Sequence, residues 1–355
     1  MTLDITTVEQ QPQSNKKDER KIKRILFIVY AFLFWLFLLF LLIMYLFIGD
    51  RTSFGEFITI WPPLLWIFGL IPLGLICLLF GHRYHCLFAM IGIILFLLLT
   101  EEWHSLLRFS TDRANPVYST PQPNQLSSGK IPLRIIVWNI DNTGSKKVLS
   151  ILETYKPDIC FLQEIPKLGL SASDTTGYWK GYTWVGNGDC GTLSRYSIHK
   201  IDTLPVGPWS PPQMLSMDLP DHRQVLLVNV RIMLPTLLFD IFNSQERKQF
   251  IETHDTRINQ YQLLSRLITK TGQSRVILAG DFNVAARSVS LFPLRRILRD
   301  AWLECGHGWG RTMTIDFPVS RIDQCWISHP ITCVYGRVIP EPISDHRLVL
   351  IDLAI

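Results

Sequence analysis

Charge is the scarcest feature of this 355-residue chain: Asp, Glu, Lys and Arg make up 18% of it, and residues 25–48 contain none. Soluble domains carry about a quarter, so part of the chain is built for a medium other than water. Extended disorder is excluded for most of the rest, because 48% of the residues are hydrophobic and disordered segments are poor in them. The seven cysteines form no Cys-x-x-Cys pair, which removes the usual signature of a thiolate zinc site. Cys160 and Cys325 lie in apolar runs and read as buried thiols, while an extracytoplasmic location would permit a disulfide among Cys305, Cys325 and Cys333. There is no internal repeat and no Lys/Arg-rich strip with interleaved aromatics. The net charge of +5 is too small over this length to imply nucleic-acid binding.

What is present first is a membrane region, expected over residues 25–103. Residues 25–48 are longer than the roughly 20 needed to cross a hydrocarbon core of about 30 Å. The run is followed by Gly49-Asp50-Arg51 and not by a small-residue cleavage site, so it reads as a helix that stays and not as a signal peptide. A second span is expected over residues 58–80, with Pro62, Pro63 and Pro72 tolerated as in other membrane helices. A third, over residues 84–103, is brief but flanked by Tyr84 and Trp103 as interfacial anchors. Lys16, Lys17, Arg20, Lys21, Lys23 and Arg24 precede the first run and Arg51 alone follows it. That asymmetry predicts a cytoplasmic tail over residues 1–24, a multi-pass integral membrane protein, and everything after about residue 101 on the periplasmic, lumenal or extracellular side. If the third segment is re-entrant, two crossings would instead return that domain to the cytoplasm.

Residues 104–130 have the Pro-, Ser-, Gln- and Asn-rich composition of a linker. The soluble domain is expected over residues 131–355, enough for one sizeable core. Strands are expected at Leu133–Asn139, Ile159–Leu162, Thr192–Ile198, Gln224–Ile232, Val276–Ala279, Ile322–Ile327 and Leu348–Leu353, and helices at Lys147–Tyr155 and Glu252–Lys270. Several strands are continuous apolar runs, so both faces of their sheets should be covered: an α/β class with two packed sheets and outer helices.

Polar residues collect at the strand ends. Asn139 follows IIVW, Glu164 follows CFLQ, Asp281 and Asn283 follow VILAG, Asp323 lies in RIDQCW, and Asp345-His346 precedes RLVLIDL. A single Asp or Asn after a strand is ordinarily a turn residue or cap; the recurrence on separate strands is what carries information. With these residues, Trp138-Asn139-Ile140, Leu162-Gln163-Glu164, Ser194-Arg195-Tyr196, Gly280-Asp281-Phe282-Asn283, Arg321-Ile322-Asp323 and Ser344-Asp345-His346, the chain resembles the endonuclease/exonuclease/phosphatase superfamily, the deoxyribonuclease-I-like phosphohydrolases. The segments occur in the family's order, span the whole soluble domain and leave the membrane part untouched.

The resemblance implies a four-layer α/β sandwich, two packed mixed β-sheets flanked by helices, and divalent-metal-dependent cleavage of a phosphate ester. It implies Mg²⁺, with Mn²⁺ as the other candidate, held by Glu164 with Asn139 and a contact from Asp345. Hard oxygen ligands with water and substrate completing the shell suit Mg²⁺. By the same resemblance Asp281 and Asn283 orient or deprotonate the attacking water, His346 donates to a phosphoryl oxygen, and Asp323 fixes the imidazole's tautomer. One departure is Arg231: in Asn229-Val230-Arg231 it stands where many members carry His. Arg cannot surrender a proton but can hold phosphate, so Arg231, Asn283 and His346 are the expected phosphate contacts unless Arg231 points to solvent.

Residues 232–242, IMLPTLLFDIF, are apolar with one charge, Asp240. They are either packed in the ordinary way or a membrane-facing lip for a lipid substrate. Arg257 and Gln260 share one helical face and read as structural. The expected function is therefore a membrane-anchored phosphohydrolase acting on a lipid-linked phosphate. Its rivals are a membrane-anchored nuclease acting on DNA or RNA, and a non-catalytic binding module. From residue 114 onward the 25 basic against 21 acidic side chains make nucleic acid the less attractive substrate.

Overall fold

The computed structural model describes residues 12–79, 83–100, 103–108, 129–166, 177–201 and 211–355. Most of the expected linker, 109–128, and the first residues of the basic tail lie outside these. The chain divides into two units, one of residues 1–47 and 63–101, the other of residues 48–62 and 102–355.

In the first unit, helix α1 (Pro12–Ile43) begins well before the apolar run and continues through a π-helical turn, Met44–Ile48. The basic residues before the run are thus helical too. The second expected span, residues 58–80, takes in the end of a short helix, α2 (Ser53–Thr59), and, after a break, α3 (Pro63–Leu79). The two are bent by 70°, at the Pro62-Pro63 pair that cannot donate helical hydrogen bonds. Helix α4 covers Arg83–Thr100. Among the described residues two helices, Glu19–Arg51 and Arg83–Thr100, are long and apolar enough to cross a membrane, or three if the bent pair is one span. Buried Phe27, Phe34, Leu38 and Leu41 on α1, and Cys86, Ala89, Ile93 and Phe96 on α4, recur at helical spacing and form the seams by which these helices pack.

The second unit holds α2, a short helix α5 (His104–Arg108) and two sheets. Strands β1 (Pro132–Asn139), β2 (Ile159–Gln163), β3 (Thr183–Asn187), β4 (Cys190–Ser194), β10 (Gly306–His307), β12 (Thr332–Ile339) and β13 (Leu348–Ala354) form a seven-stranded sheet in the order β10-β12-β13-β1-β2-β4-β3. Strands β5 (Ile198–Lys200), β6 (Gln213–Asp218), β7 (Gln224–Arg231), β8 (Val276–Asp281), β9 (Arg299–Asp300) and β11 (Asp323–Ile327) form a six-stranded sheet in the order β5-β6-β7-β8-β11-β9. The strand expected at Thr192–Ile198 is really two, β4 and β5, in different sheets. Arg195 lies at the crossing and pairs with Asp158 at 3.2 Å.

The layers follow from the alternation of side chains along fully buried strands. Ile135, Val137, Phe161, Leu227, Ile277, Cys325 and Ile351 fill the space between the sheets. Their neighbours Ile136, Trp138, Cys160 and Leu350 face the other way, against Val148, Leu149 and Leu152 of α6 (Ser145–Tyr155). On the far side Val228, Val230 and Leu278 meet Tyr261, Leu264 and Ile268 of α7 (Ser244–Thr271), with Leu294 of α8 (Phe292–Arg295). This is the expected four-layer α/β sandwich. Cys305, at the end of α9 (Ala301–Cys305), is disulfide-bonded to Cys333 on β12, whereas Cys325 is a free buried thiol.

Candidate active site

Strand direction brings the polar ends together. β1 runs parallel to β2, and β7 to β8, while β13 runs antiparallel to β1 and β11 antiparallel to β8. The last residues of the first four and the first residues of the other two therefore share one edge. Arg231 and Asp323 both pair in register with Asp281, Asn139 ends β1, Glu164 directly follows β2, and His346 lies two residues before β13. Gly280 is needed for this convergence: its φ is +143°, and a Cβ there would sit 2.0 Å from the Val230 carbonyl oxygen. Glu164 and Asn283 hold left-handed φ of 51° and 49°, a strain that non-glycine residues keep only where the surroundings impose it.

Hydrogen bonds tie the two sheets at this edge. The Asn139 Nδ2 group donates to Glu164 Oε1 at 2.9 Å and to Asp281 Oδ2 at 3.1 Å. Its oxygen accepts from the Asp141 amide at 3.1 Å, so as arranged Asn139 orients the two carboxylates. The Asp281 carboxylate also accepts from the Asn283 amide at 2.9 Å and from its side chain at 3.3 Å, while Asn283 Nδ2 donates to the Ile232 carbonyl at 2.8 Å. His346 Nδ1 meets Asp323 Oδ2 at 2.8 Å, and its backbone is fixed by Ser344 and by Trp138 Nε1, which donates to its carbonyl at 3.1 Å. Asp345 is the outlier: it is exposed, and its carboxylate lies 3.9 Å from His346 Nε2. The Ser194–Tyr196 segment stands at the opposite end of β4, where Ser194 pairs with the first residue of β2, and does not reach the site.

Arg231 is not directed only at solvent. Its terminal nitrogens donate to Glu164 at 2.7 Å and Asp189 at 3.0 Å, and its buried Nε has no partner among the described residues. Asp189 had no sequence signal, lying in a turn between β3 and β4. Asn229 did have one, an amide inside an apolar strand: buried, it accepts from Gln163 Nε2 at 2.7 Å and donates to Gly191 O at 3.0 Å, joining the sheets beneath the site.

Burial, reinforced by the charge of Asp323, pushes the Asp281 carboxyl up to about 7. Burial alone would lower His346, but the charge and hydrogen bond of Asp323, with Asp281 and Asp345 behind them, outweigh it and raise the imidazole to about 10. Glu164 also feels burial, which is overcome by the Asn139 hydrogen bond and Arg231, so its carboxyl is held below the usual range. Two acidic groups and an imidazolium with separated protonation states are the ingredients of acid–base chemistry near neutral pH.

A divalent ion fits these donors. The ligand atoms of Asp281, Asp323 and His346 lie within 4.8 Å of one another, and buried Asp323 Oδ1 has no partner among the described residues. Glu164, tied through Asn139 to Asp281 at the same edge, offers a further hard oxygen donor.

A sandwich of two mixed sheets carrying carboxylates, amides and a His–Asp pair on one edge is the architecture of a metal-assisted phosphoesterase. The Endonuclease/Exonuclease/phosphatase family model matches residues 136–346, and the chain belongs to that family. It is by class a phosphoric ester hydrolase, in a family whose enzymes are generally divalent-metal dependent. Among solved structures, the endonuclease/exonuclease/phosphatase from Bacteroides vulgatus is 16% identical, with 63% of this chain and 99% of that one covered and a TM-score of 0.50. The mannosyl-6-phosphatase of Bacteroides thetaiotaomicron is 17% identical, with 63% and 100% covered and a TM-score of 0.49. Truncated TDP2 of Caenorhabditis elegans is 19% identical, with 63% and 98% covered and a TM-score of 0.47. At such identities the likeness is one of fold. No curated protein matches the chain.

Proposed function

We propose that this chain is a membrane-anchored, Mg²⁺-dependent phosphohydrolase acting on a phosphate ester carried by a lipid. The observation that carries the lipid reading is the segment after Arg231. Leu234, Leu237, Phe239, Ile241 and Phe242 are exposed, Phe239 and Phe242 by 79% and 86%. Of the two sequence readings of this segment, ordinary packing does not fit such exposure. A run of large apolar side chains facing outward marks an interaction surface, and this one starts at the residue whose carbonyl holds Asn283. A lip there would let a substrate's phosphate enter the site while its hydrocarbon part stays in the bilayer.

In this reading Mg²⁺ would be held by Glu164 and Asn139, with Asp345, beside the Asp281–Asp323–His346 group and not on it, since the imidazolium of His346 has no lone pair to give; when bound the ion would neutralise charge developing on the phosphoryl group. Asp281 takes the proton from the attacking water as the new P–O bond forms opposite the ester oxygen and the bond from phosphorus to that oxygen breaks; the alcohol leaves as its alkoxide and is protonated by solvent water. Asn283 holds that carboxylate, and His346, kept as imidazolium by Asp323, donates to a phosphoryl oxygen. Arg231 supplies fixed positive charge beside the lip and contacts the substrate phosphate.

Two features support an extracytoplasmic catalytic domain. The Cys305–Cys333 disulfide suits an oxidising compartment. Residues 48–62, which follow the first apolar run, belong to the catalytic unit, which supports a reading in which both lie on one side of a bilayer. Two crossings with a re-entrant third segment would separate them, whereas three crossings keep them together and opposite a cytoplasmic N-terminus.

The test is a side-by-side assay of the full-length protein in vesicles on plasmid DNA, RNA, a polyprenyl pyrophosphate, a sphingomyelin-type lipid and a soluble phosphomonoester. The lipid-borne substrates should be turned over fastest; cleavage of nucleic acid alone would overturn the lipid reading.

A further inference from the structure

The stretch Gly49–Thr59 holds residues 49–57, which the sequence reading leaves between the first two expected spans, and the first two residues of the second. In the structure it carries two buried carboxylates, and both are satisfied by the catalytic domain. Asp50 accepts from the Ser290 amide at 3.0 Å and from the Ser290 hydroxyl, and its carbonyl meets His254 Nε2 at 3.1 Å. Glu56 is ion-paired with Arg257, both about 4% exposed or less. Gly49 has φ +49° and lies so close to Val289 that a Cβ would come within 2.4 Å of its methyl. The Arg51 guanidinium covers the Phe292 ring at 5.6 Å. Thr52 caps α2 through the Gly55 amide at 3.0 Å.

Arg257 connects this stretch to the site. Its second terminal nitrogen donates to the Asn283 carbonyl at 2.7 Å and to the Tyr261 hydroxyl at 3.2 Å, and Tyr261 in turn donates to the Phe282 carbonyl at 3.0 Å. Asn283 is the residue in left-handed conformation whose amide and side chain hold Asp281. Such a conformation persists only when several contacts determine it. Arg257 supplies one of them, and Glu56 fixes the guanidinium that does so.

We infer that the Gly49–Thr59 stretch is a strut of the catalytic domain and that Glu56, acting through Arg257, is a positioning residue for the Asp281–Asn283 turn. The strut is covalently continuous with the first apolar helix, so the geometry of the site is completed only when the membrane anchor delivers it. The inference rests on the phosphohydrolase reading of the site for its kinetic consequence, but not for its structural one.

The experiment uses the full chain in detergent or vesicles, with hydrolysis of bis(p-nitrophenyl) phosphate as the kinetic probe and amide hydrogen exchange over residues 280–284 as the structural one. Glu56→Gln and Glu56→Ala should lower kcat by about ten- to hundredfold, the usual cost of a small misplacement, with KM changed less than about twofold, and should speed exchange at residues 280–284. Glu56→Leu combined with Arg257→Met leaves no unpaired buried charge and should recover thermal stability without recovering kcat, because the Asn283 carbonyl still lacks its donor. Arg134→Met breaks the buried pair with Asp352 at the other end of β1; it should lower stability while leaving kcat per folded molecule and the 280–284 exchange near wild type. Unchanged exchange at residues 280–284 in folded Glu56→Ala would overturn the inference, and so would recovery of kcat in the double variant. If the wild type hydrolyses no ester, the exchange arm still decides the strut, and only the phosphohydrolase reading fails.

Discussion

Replacing Asp323 by Asn probes the protonation state on which the proposed chemistry depends. Asp323 lies 2.8 Å from His346 Nδ1, and its charge and hydrogen bond are the main forces lifting the imidazole to about 10 against burial. Without that charge, burial is left as the dominant influence, and the imidazole should return to or below its ordinary value of about 6.5. A displacement from about 10 to about 6.5 corresponds to about 5 kcal/mol of differential stabilisation of imidazolium. At pH 8 the wild type would be almost wholly protonated, whereas a group titrating near 6.5 would be about 3% so. Activity of Asp323→Asn at pH 8 should therefore fall at least about thirtyfold and recover in part toward pH 6. The same substitution removes the repulsion that, after burial, raises Asp281, so the acid limb should move down as well. A pH–rate profile on a soluble ester measures both limbs, and NMR titration of His346 in metal-free protein measures the imidazole directly. An unchanged alkaline limb in the variant, with wild-type titration of His346, would refute the reasoning.

The lip makes a separate prediction: Phe239→Ser with Phe242→Ser should raise KM for a vesicle-borne ester by about tenfold or more, since each exposed Phe is worth about 1.5–3 kcal/mol when fully buried, while turnover of a soluble ester stays unchanged. Reducing Cys305–Cys333 opens a loop of 28 residues and should cost about 3–4 kcal/mol, seen as a lower melting temperature in reductant. Arg231→Met removes a cation that competes for Glu164, so half-saturation by Mg²⁺ should occur at lower concentration even as kcat falls; a higher Mg²⁺ requirement would contradict this placement of Arg231.

The sandwich was legible because its central strands are uninterrupted apolar runs. IIVW, ICFL, VILA and LVLI can only be covered on both faces, and each is followed or preceded by the polar residue that the topology carries to the shared edge. Peripheral strands were not legible. β12 reads TCVYGRVI and β6 reads QMLSMD, with polar and small residues that mimic loops, and the turn between β4 and β5, Arg195-Tyr196-Ser197, has no glycine or proline to mark it. Candidate residues could be named from strand ends, but their partners could not. Asp189 reaches Arg231 across 42 residues and Glu56 reaches Arg257 across 201, pairings that no local pattern encodes. The break between α2 and α3 was not legible from hydropathy, although the Pro62-Pro63 pair marks it.

Metal dependence of ester hydrolysis by the full-length protein tests the central claim most directly. In vesicles carrying a lipid-linked phosphate, product release should require Mg²⁺, stop on addition of EDTA and return when Mg²⁺ is restored in excess. Full turnover in EDTA would contradict the account.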